Sequence, residues 1–254
     1  MALKISIITP SFNQGKFIEQ TIQSVLSQNY PDLEYIIMDG GSTDETVSIL
    51  KKYEGKLKWF SEKDKGQSGA INKGLKMITG DIIAWINSDD YYLPGTLTNI
   101  AELFEKNKNI QWITGDYIVV DAKGKEIHAF VRLYKKLVSY FSSFAALSFA
   151  NYINQPSTFW KKELQDKAGR INESYRYCMD YDLWLRFMKV SAPYIIHTPL
   201  SAFRIHATSK GGSEYGKQFE EELEVVQKYT NNQLVVLLHK CHNMFINIAY
   251  KIIK

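Results

Sequence analysis

Between Lys4 and Ile86 short apolar runs alternate with amphipathic stretches four times over, and few chain topologies accept that pattern. The runs are Lys4 to Thr9, Leu33 to Met38, Leu57 to Phe60 and Ile82 to Ile86. The last is apolar throughout, as in a strand buried on both faces of a sheet. After the first, Phe17, Ile18, Thr21, Ile22, Val25 and Leu26 recur at helical spacing. After the second, Ser42-Thr43-Asp44-Glu45 has the form of a capping box opening a helix to about Tyr53. After the third, a helix from about Gln67 carries Ile71, Leu75 and Ile78 as its apolar stripe. Such alternation predicts parallel strands joined by right-handed crossovers, with every carboxyl end on one edge of the sheet. Ligands of open α/β sheets bind at that edge. Thr9 to Asn13, Asp39, Glu62 to Gln67 and Asp89-Asp90 are therefore expected to converge on one crevice.

Asp89-Asp90 is the most chemically pointed of these stretches. It follows Asn87-Ser88, two turn formers that stop the fourth run. Adjacent carboxylates repel, so they rest in water, as in an ordinary solvated turn, or beside a cation. Hard oxygen donors at a strand end fit magnesium or manganese that also holds a phosphate. The familiar phosphate cradles are missing: there is no GxxxxGK[ST] and no GxGxxG after the first run.

The second half reads differently. Pro94 to about Lys106 is a helix, and Trp112 to Val120 a strand turned by Asp121-Ala122-Lys123-Gly124. Arg132 to Tyr152 is aromatic and Ser-rich without a clean period and reads as irregular. Gln155 to Trp160 is a short strand, Asp180 to Met188 a helix, and Pro193 to Thr198 and Ala202 to His206 two more strands. A polar helix follows Gly211-Gly212 to about Tyr229, and a last helix runs from about Gln233 to Ile253.

The 254 residues suffice for a core without disulfides or metal clips. Net charge is +4, with no basic run or zinc spacing, so no nucleic-acid partner is expected. Cys178 and Cys241 build no disulfide framework, and no signal peptide or membrane-length apolar run is present, so a cytosolic location is expected. Leu234-Val235-Val236-Leu237-Leu238 with Phe245, Ile246, Ile248, Ile252 and Ile253 is flanked by Lys228, Lys240, Lys251 and Lys254. That mixture fits a helix lying on an anionic membrane, or one packed on protein.

Ile7-Ile8-Thr9-Pro10-Ser11-Phe12-Asn13, Asp39-Gly40-Gly41-Ser42-Thr43-Asp44, Gly66 with Gly69-Ala70-Ile71-Asn72-Lys73-Gly74, and Asn87-Ser88-Asp89-Asp90 occur in this order. Together they closely resemble the inverting family 2 glycosyltransferases of GT-A fold. Met179-Asp180-Tyr181-Asp182-Leu183-Trp184-Leu185-Arg186 and Phe203-Arg204-Ile205-His206 extend the resemblance over residues 4 to 210. It implies a Rossmann-like, mostly parallel α/β sheet with flanking helices, and C-terminal helices beyond it. Residues 1–120 would be the nucleotide-sugar-binding half of one domain, 121–212 the acceptor-binding half, and 213–254 a helical tail.

The resemblance also implies a nucleoside-diphosphate sugar donor, a saccharide or lipid-linked saccharide acceptor, and a divalent Mg2+ or Mn2+ ion. Asp39 would accept an N–H from the base, with Thr9, Pro10 and Asn13 walling base and ribose. Gly66, Gln67 and Asn72 would contact ribose or diphosphate; the alternatives are that Gly66 simply starts the helix and, weighing nearly as much, that Asn72 makes a structural hydrogen bond. Asp89 would face ribose or metal and Asp90 the metal, with His206 a third ligand, a phosphate contact or a structural residue. The family's base lies in an acidic pair opening a helix; here that pair is Met179-Asp180, so Asp180 matches the base. At a helix N-terminus it is expected to stay ionised. Asp182, the second candidate, is expected to pair with Arg186 one turn on. Two rival functions are a sugar nucleotidyltransferase, which lacks its Gly- and Arg-rich loop here, and a non-catalytic sugar-nucleotide-binding module.

Overall fold

The computed structural model describes residues 3–207, 209 and 215–253, without the side chains of 215 and 248–253. Gly211-Gly212, the side chains of Ile248, Lys251, Ile252 and Ile253, and all of Lys254 lie outside the described residues. Strands β1 (Ile5–Ser11), β2 (Leu33–Asp39), β3 (Lys58–Ser61) and β4 (Ile82–Trp85) pair in parallel in the order β3-β2-β1-β4. Helices α1 (Ile18–Leu26), α2 (Thr46–Lys51) and α3 (Gln67–Leu75) make the crossovers. β1 and β4 are buried at every position, so each Ile on them contributes about 1.5–3 kcal/mol of apolar burial. Register sets the functional edge: Ser11 lies opposite Asp39, and Asp39 opposite Ser61.

The capping box does not form. Ser42 turns its hydroxyl to Asp39, and α2 begins only at Thr46, whose N–H donates to Asp44 Oδ1 at 3.0 Å. The short strand β5 (Tyr91–Tyr92) and helix α4 (Thr96–Lys106) follow β4.

β6 (Trp112–Val120) joins the same sheet but not beside β4. After the hairpin partner β7 (Glu126–Ile127), the chain forms α5 (Ala129–Ser139) and α6 (Phe144–Phe149). The stretch expected to be irregular is thus mostly helical. The helical period is present, since Phe130, Val131, Leu133, Tyr134, Leu137 and Val138 make one broad apolar face, but a stretch read from Arg132 starts inside it and runs on into the Ser-rich turn at 139–143. Val131, Tyr134 and Val138 turn to the cleft described below, whereas Phe130, Leu133 and Leu137 are exposed.

A 3-10 turn, Gln155–Ser157, then leads into β8 (Thr158–Lys161), which pairs antiparallel with both β4 and β6. Helices α7 (Lys162–Ala168) and α8 (Met179–Val190) precede β9 (Tyr194–Arg204), which is one strand rather than the expected two. The register with β6 jumps from Gly115–Ile196 to Asp116–Pro199, so an irregularity in the ladder absorbs the proline that lacks an N–H. Among the described residues both halves share one nine-stranded sheet, and α9 (Tyr215–Tyr229) and α10 (Gln233–Ile253) pack on each other, on α8 and on α6.

Four tryptophans knit the halves together. Trp85 of β4 stacks on Trp184 of α8 with centroids 5.6 Å apart and planes 10° apart, and Trp184 stacks in turn on Trp112 of β6. Trp160 of β8 meets both Trp85 and Trp184 edge-on. Trp85 precedes Asp89 by one turn of chain, and Trp184 lies one helical turn after Asp180. The stack therefore holds the end of β4 and the opening of α8 in fixed relation.

Candidate active site

The carboxyl ends of β1, β2, β3 and β4 open on a cleft of about 1420 Å³ that continues between α5, α8, α9 and α10. Pro10, Gly40, Gly41, Lys63, Lys65, Gly66 and Gln67 line it beside the strand ends, together with Asp89, His206, Asp180 and Glu222. Of the stretches expected to converge, Pro10 to Phe12, Lys63 to Gln67 and Asp89 line the cleft, whereas Thr9, Asn13, Asp39, Glu62 and Asp90 do not.

Asp89 and His206 form the central pair. Asp89 Oδ2 lies 3.0 Å from His206 Nε2, and both residues line the cleft. They come from distant parts of the chain, brought together by Arg204 at the end of β9. Its backbone N–H donates to Asp90 Oδ1 at 2.8 Å and its Nε to the Asp89 carbonyl at 2.8 Å. The guanidinium also lies over Phe17 and Tyr91 at 5.0 and 5.3 Å.

Asp90 does not share this exposure. It is 1% exposed, its Oδ1 accepts from Arg204 and its Oδ2 accepts from Asn87 Nδ2 at 3.1 Å. The strand end was expected to leave both carboxylates in water. Instead Asp90 points into the protein, and burial next to Asp89 pushes its carboxyl well above the usual range. Placed so, the Asp90 carboxylate closes the turn, its oxygens facing Arg204 N and Asn87 Nδ2. Oxygen from Asp89 and imidazole nitrogen from His206 form a two-residue donor set suited to a divalent ion. No group of three or more His, Cys, Asp or Glu that could hold a metal ion occurs among the described residues. The remaining positions would fall to phosphate or water.

At the nucleotide end several expected contacts serve to shape loops. Asp39 is 2% exposed, and its carboxylate accepts from Gly41 N, Ser42 N, Ser42 Oγ and Ser61 Oγ. Three of those donors meet Oδ2 and one meets Oδ1, so in this structure Asp39 folds the 40–41 wall of the cleft. The Thr9 hydroxyl is buried 3.1 Å from Tyr35 OH. Exposed Asn13, at φ 53°, accepts from Thr43 N and donates its own N–H to Ser42 Oγ at 2.7 Å, clasping two loops together. Asn72 is buried against Ile171 N, Ile171 O and Glu173 and does not line the cleft. The structural reading of Asn72 is the one the fold adopts. Gly66, at φ +94°, needs to be glycine, and nothing stands within 4 Å of where a Cβ would be. Gln67 donates to Asn87 Oδ1 at 2.7 Å, coupling α3 to the Asp89 turn.

Asp180 is half-buried in the first turn of α8, and its Oδ1 accepts from Tyr181 N at 2.7 Å. Burial raises its pKa against the lowering from that hydrogen bond and from Lys135. The helix terminus was expected to keep it ionised; burial acts in the opposite direction. Asp182 is 1% exposed and binds Arg186 at 2.8 Å, Lys228 Nζ at 3.0 Å and Tyr229 OH at 2.7 Å. The pairing with Arg186 is as expected; the tie to α9 was not legible. Asp182→Ala is expected to cost about 3–5 kcal/mol of unfolding free energy, as for a broken buried pair. Urea titration checks this, and a loss below about 1 kcal/mol would make the cluster no stronger than a surface pair.

Glu222 is the functional candidate that sequence reasoning missed. It lines the cleft from α9 and accepts from Gln218 at 3.0 Å and from Asn243 Nδ2 at 3.2 Å. Burial raises its pKa. Nearby His242 stacks on Tyr134, and burial lowers its pKa. No sequence signal separates Glu222 from the other acids of a polar helix, since only packing buries it.

The sequence pattern described as Glycosyl transferase family 2 matches residues 6–164. An uncharacterized glycosyltransferase of Rickettsia typhi is 28% identical over 256 residues, covering 96% of this chain and 78% of the relative. The UDP-Glc:alpha-D-GlcNAc-diphosphoundecaprenol beta-1,3-glucosyltransferase WfaP of Escherichia coli is 28% identical over 254 residues, covering 97% and 91%. Two solved structures share the fold. S. aureus TarS 1-349 in complex with UDP-GlcNAc has a TM-score of 0.68 at 18% identity. The mannosyltransferase PcManGT from Pyrobaculum calidifontis, in complex with GDP-Man and Mn2+, has 0.69 at 16%. This chain, covered to 88% and 90%, spans 65% and 64% of those two proteins.

Proposed function

The chain belongs to glycosyltransferase family 2, and from that premise we propose that it moves a monosaccharide from a nucleoside-diphosphate sugar to a hydroxyl of a saccharide acceptor, with inversion. The observation that carries this reading is that the Asp89–His206 pair and the half-buried Asp180 line one cleft, braced by the Trp85–Trp184 stack. The WfaP and PcManGT names support a lipid-linked acceptor and a manganese-assisted donor respectively. The two free cysteines suit a reducing cytosol.

Asp89 and His206 would hold the ion. Bound there, magnesium or manganese would neutralise charge on the departing diphosphate. Gly66 leaves backbone room, and Lys63 and Lys65 bring positive charge to the same end of the cleft. Asp180 takes the proton of the attacking acceptor hydroxyl. Its raised pKa makes it a stronger acceptor than an ordinary carboxylate. Residues 1–120 supply the donor end and 121–212 most of the acceptor end, with Glu222 added from the tail. The Met179 that stands in place of a family acid receives a hydrogen bond from Ser68 Oγ, so it packs against α3.

Incubation with α-linked UDP- and GDP-sugars and a panel of saccharide acceptors, followed by NMR of the new anomeric centre, tests the reading. A β-linked product is expected. Retained α configuration would overturn the single-displacement mechanism, and donor binding without transfer or hydrolysis to any acceptor would favour a binding module.

A further inference from the structure

Two helices beside the cleft expose apolar stripes that the reaction does not use. Among the described residues, ten of the fifteen exposed large apolar side chains lie in two segments, five within 130–141 and five within 234–245. On α5, Phe130, Leu133 and Leu137 recur three and four residues apart, and Phe141 continues the row. On α10, Leu234, Leu237, Leu238 and Phe245 form one stripe, while Val236, His239 and Asn243 are buried. The helices are neighbours: Tyr134 of α5 stacks on His242 of α10 at 5.7 Å, and both line the Asp180 end of the cleft. Isolated exposed apolar residues are ordinary, but two adjacent stripes at a cleft mouth mark a contact surface.

Charge selects the occupant. The protein has 27 acidic residues, yet none occurs from Ile127 to Lys162 and none after Glu224. These two acid-free stretches contain both stripes. Arg132, Lys135 and Lys136 lie on α5 and Lys240 on α10. Arg132 is held by Asp116 and Glu126, and Lys135 faces the cleft, leaving exposed Lys240 and half-buried Lys136 near the stripes. Apolar stripes bordered by bases and free of acids match the interface of an anionic bilayer. No described helix is long and apolar enough to cross a membrane.

We propose that α5 and α10 together form a docking surface for an anionic lipid bilayer, lying in the headgroup plane with the Asp180 end of the cleft at the membrane. The surface alone carries this, whatever the acceptor is. Phe130, Leu133, Leu137 and Phe141 enter the acyl boundary on one side of the cleft mouth, and the α10 stripe on the other. Salt weakens the docking, because part of the attraction is between exposed charges.

Flotation of the full chain with vesicles of phosphatidylcholine alone, or with about a third phosphatidylglycerol, tests the surface. Binding is expected to the anionic vesicles, falling as salt rises. Leu133→Glu with Leu137→Glu, and separately Leu237→Glu with Phe245→Glu, should each weaken it about tenfold or more. None of these four lines the cleft, so hydrolysis of the donor in solution should stay near the starting level, which also shows that the variants fold. Failure to float with anionic vesicles, or flotation unchanged in both double variants, overturns the proposal. So does a dimer in sedimentation that either double variant dissociates, since the stripes would then cover a second copy.

Discussion

Asp180→Asn should lower the rate of transfer by about a hundred- to ten-thousand-fold, the usual contribution of a general base, or roughly 3–5 kcal/mol of barrier. The amide keeps the size of the carboxylate and the oxygen that accepts from Tyr181 N, so the opening of α8 should persist. Proton acceptance alone is lost. The donor KM should hardly move, because the proposed base acts on the acceptor hydroxyl and not on the diphosphate. The pH profile gives a second reading. The base works ionised, so activity falls as pH drops through its pKa. Burial sets that pKa above the ordinary carboxylate value, and the acid limb of kcat/KM should lie correspondingly high. Asp182→Asn should leave turnover far less affected while lowering stability, because Asp182 is committed to Arg186, Lys228 and Tyr229. The opposite ranking would move the base to Asp182. A loss below about tenfold at both positions would place it elsewhere.

Asp89→Ala should weaken catalysis by about two to three powers of ten, the order expected when charge stabilisation of several kcal/mol is withdrawn from a departing diphosphate. Titration calorimetry with Mn2+ and nucleoside diphosphate reads the same site without turnover, and the variant should lose the metal-dependent part of binding. Asp90→Ala makes the informative contrast. It removes the acceptor of Arg204 N and Asn87 Nδ2, so it should cost about 1–3 kcal/mol of stability per buried donor left unpaired. If Asp90→Ala folds as well as the parent yet loses manganese binding, while Asp89→Ala retains it, the assignment of the two carboxylates is reversed. His206→Ala should resemble Asp89→Ala in direction with a smaller effect, since a carboxylate ligand remains.

The first half of the fold was legible because its signals are local. Parallel strands buried on both faces read as apolar runs, and crossover helices show one stripe. From these the shared edge follows by chirality alone, and with it the meeting of Pro10, Gly66, Gln67 and Asp89 in one cleft. The last helix, Gln233–Ile253, was legible from its apolar content. α5 was missed although its apolar residues share one face, because Arg132 to Tyr152 joins the end of that helix to a Ser-rich turn and a second short helix, and the joined stretch has no single period.

Among the site residues, the sequence by itself determined which chemistry is present: paired carboxylates at a strand end, a histidine after a late strand, and a carboxylate opening an apolar helix. Only the tertiary structure decided which of these atoms face the cleft. Asp89 and Asp90 are adjacent and chemically identical, yet Arg204, 114 residues beyond Asp90, draws one inward and leaves the other beside His206. Asp39 and Asn72 carry polar side chains at the right edge, but Ser42, Ser61 and Ile171 claim them first. Glu222 enters the cleft only because α9 packs there. Secondary structure depends on neighbours three or four residues apart, which a sequence displays. Side-chain orientation at the end of a strand depends on hydrogen-bond partners from remote segments, and only the folded chain brings those together.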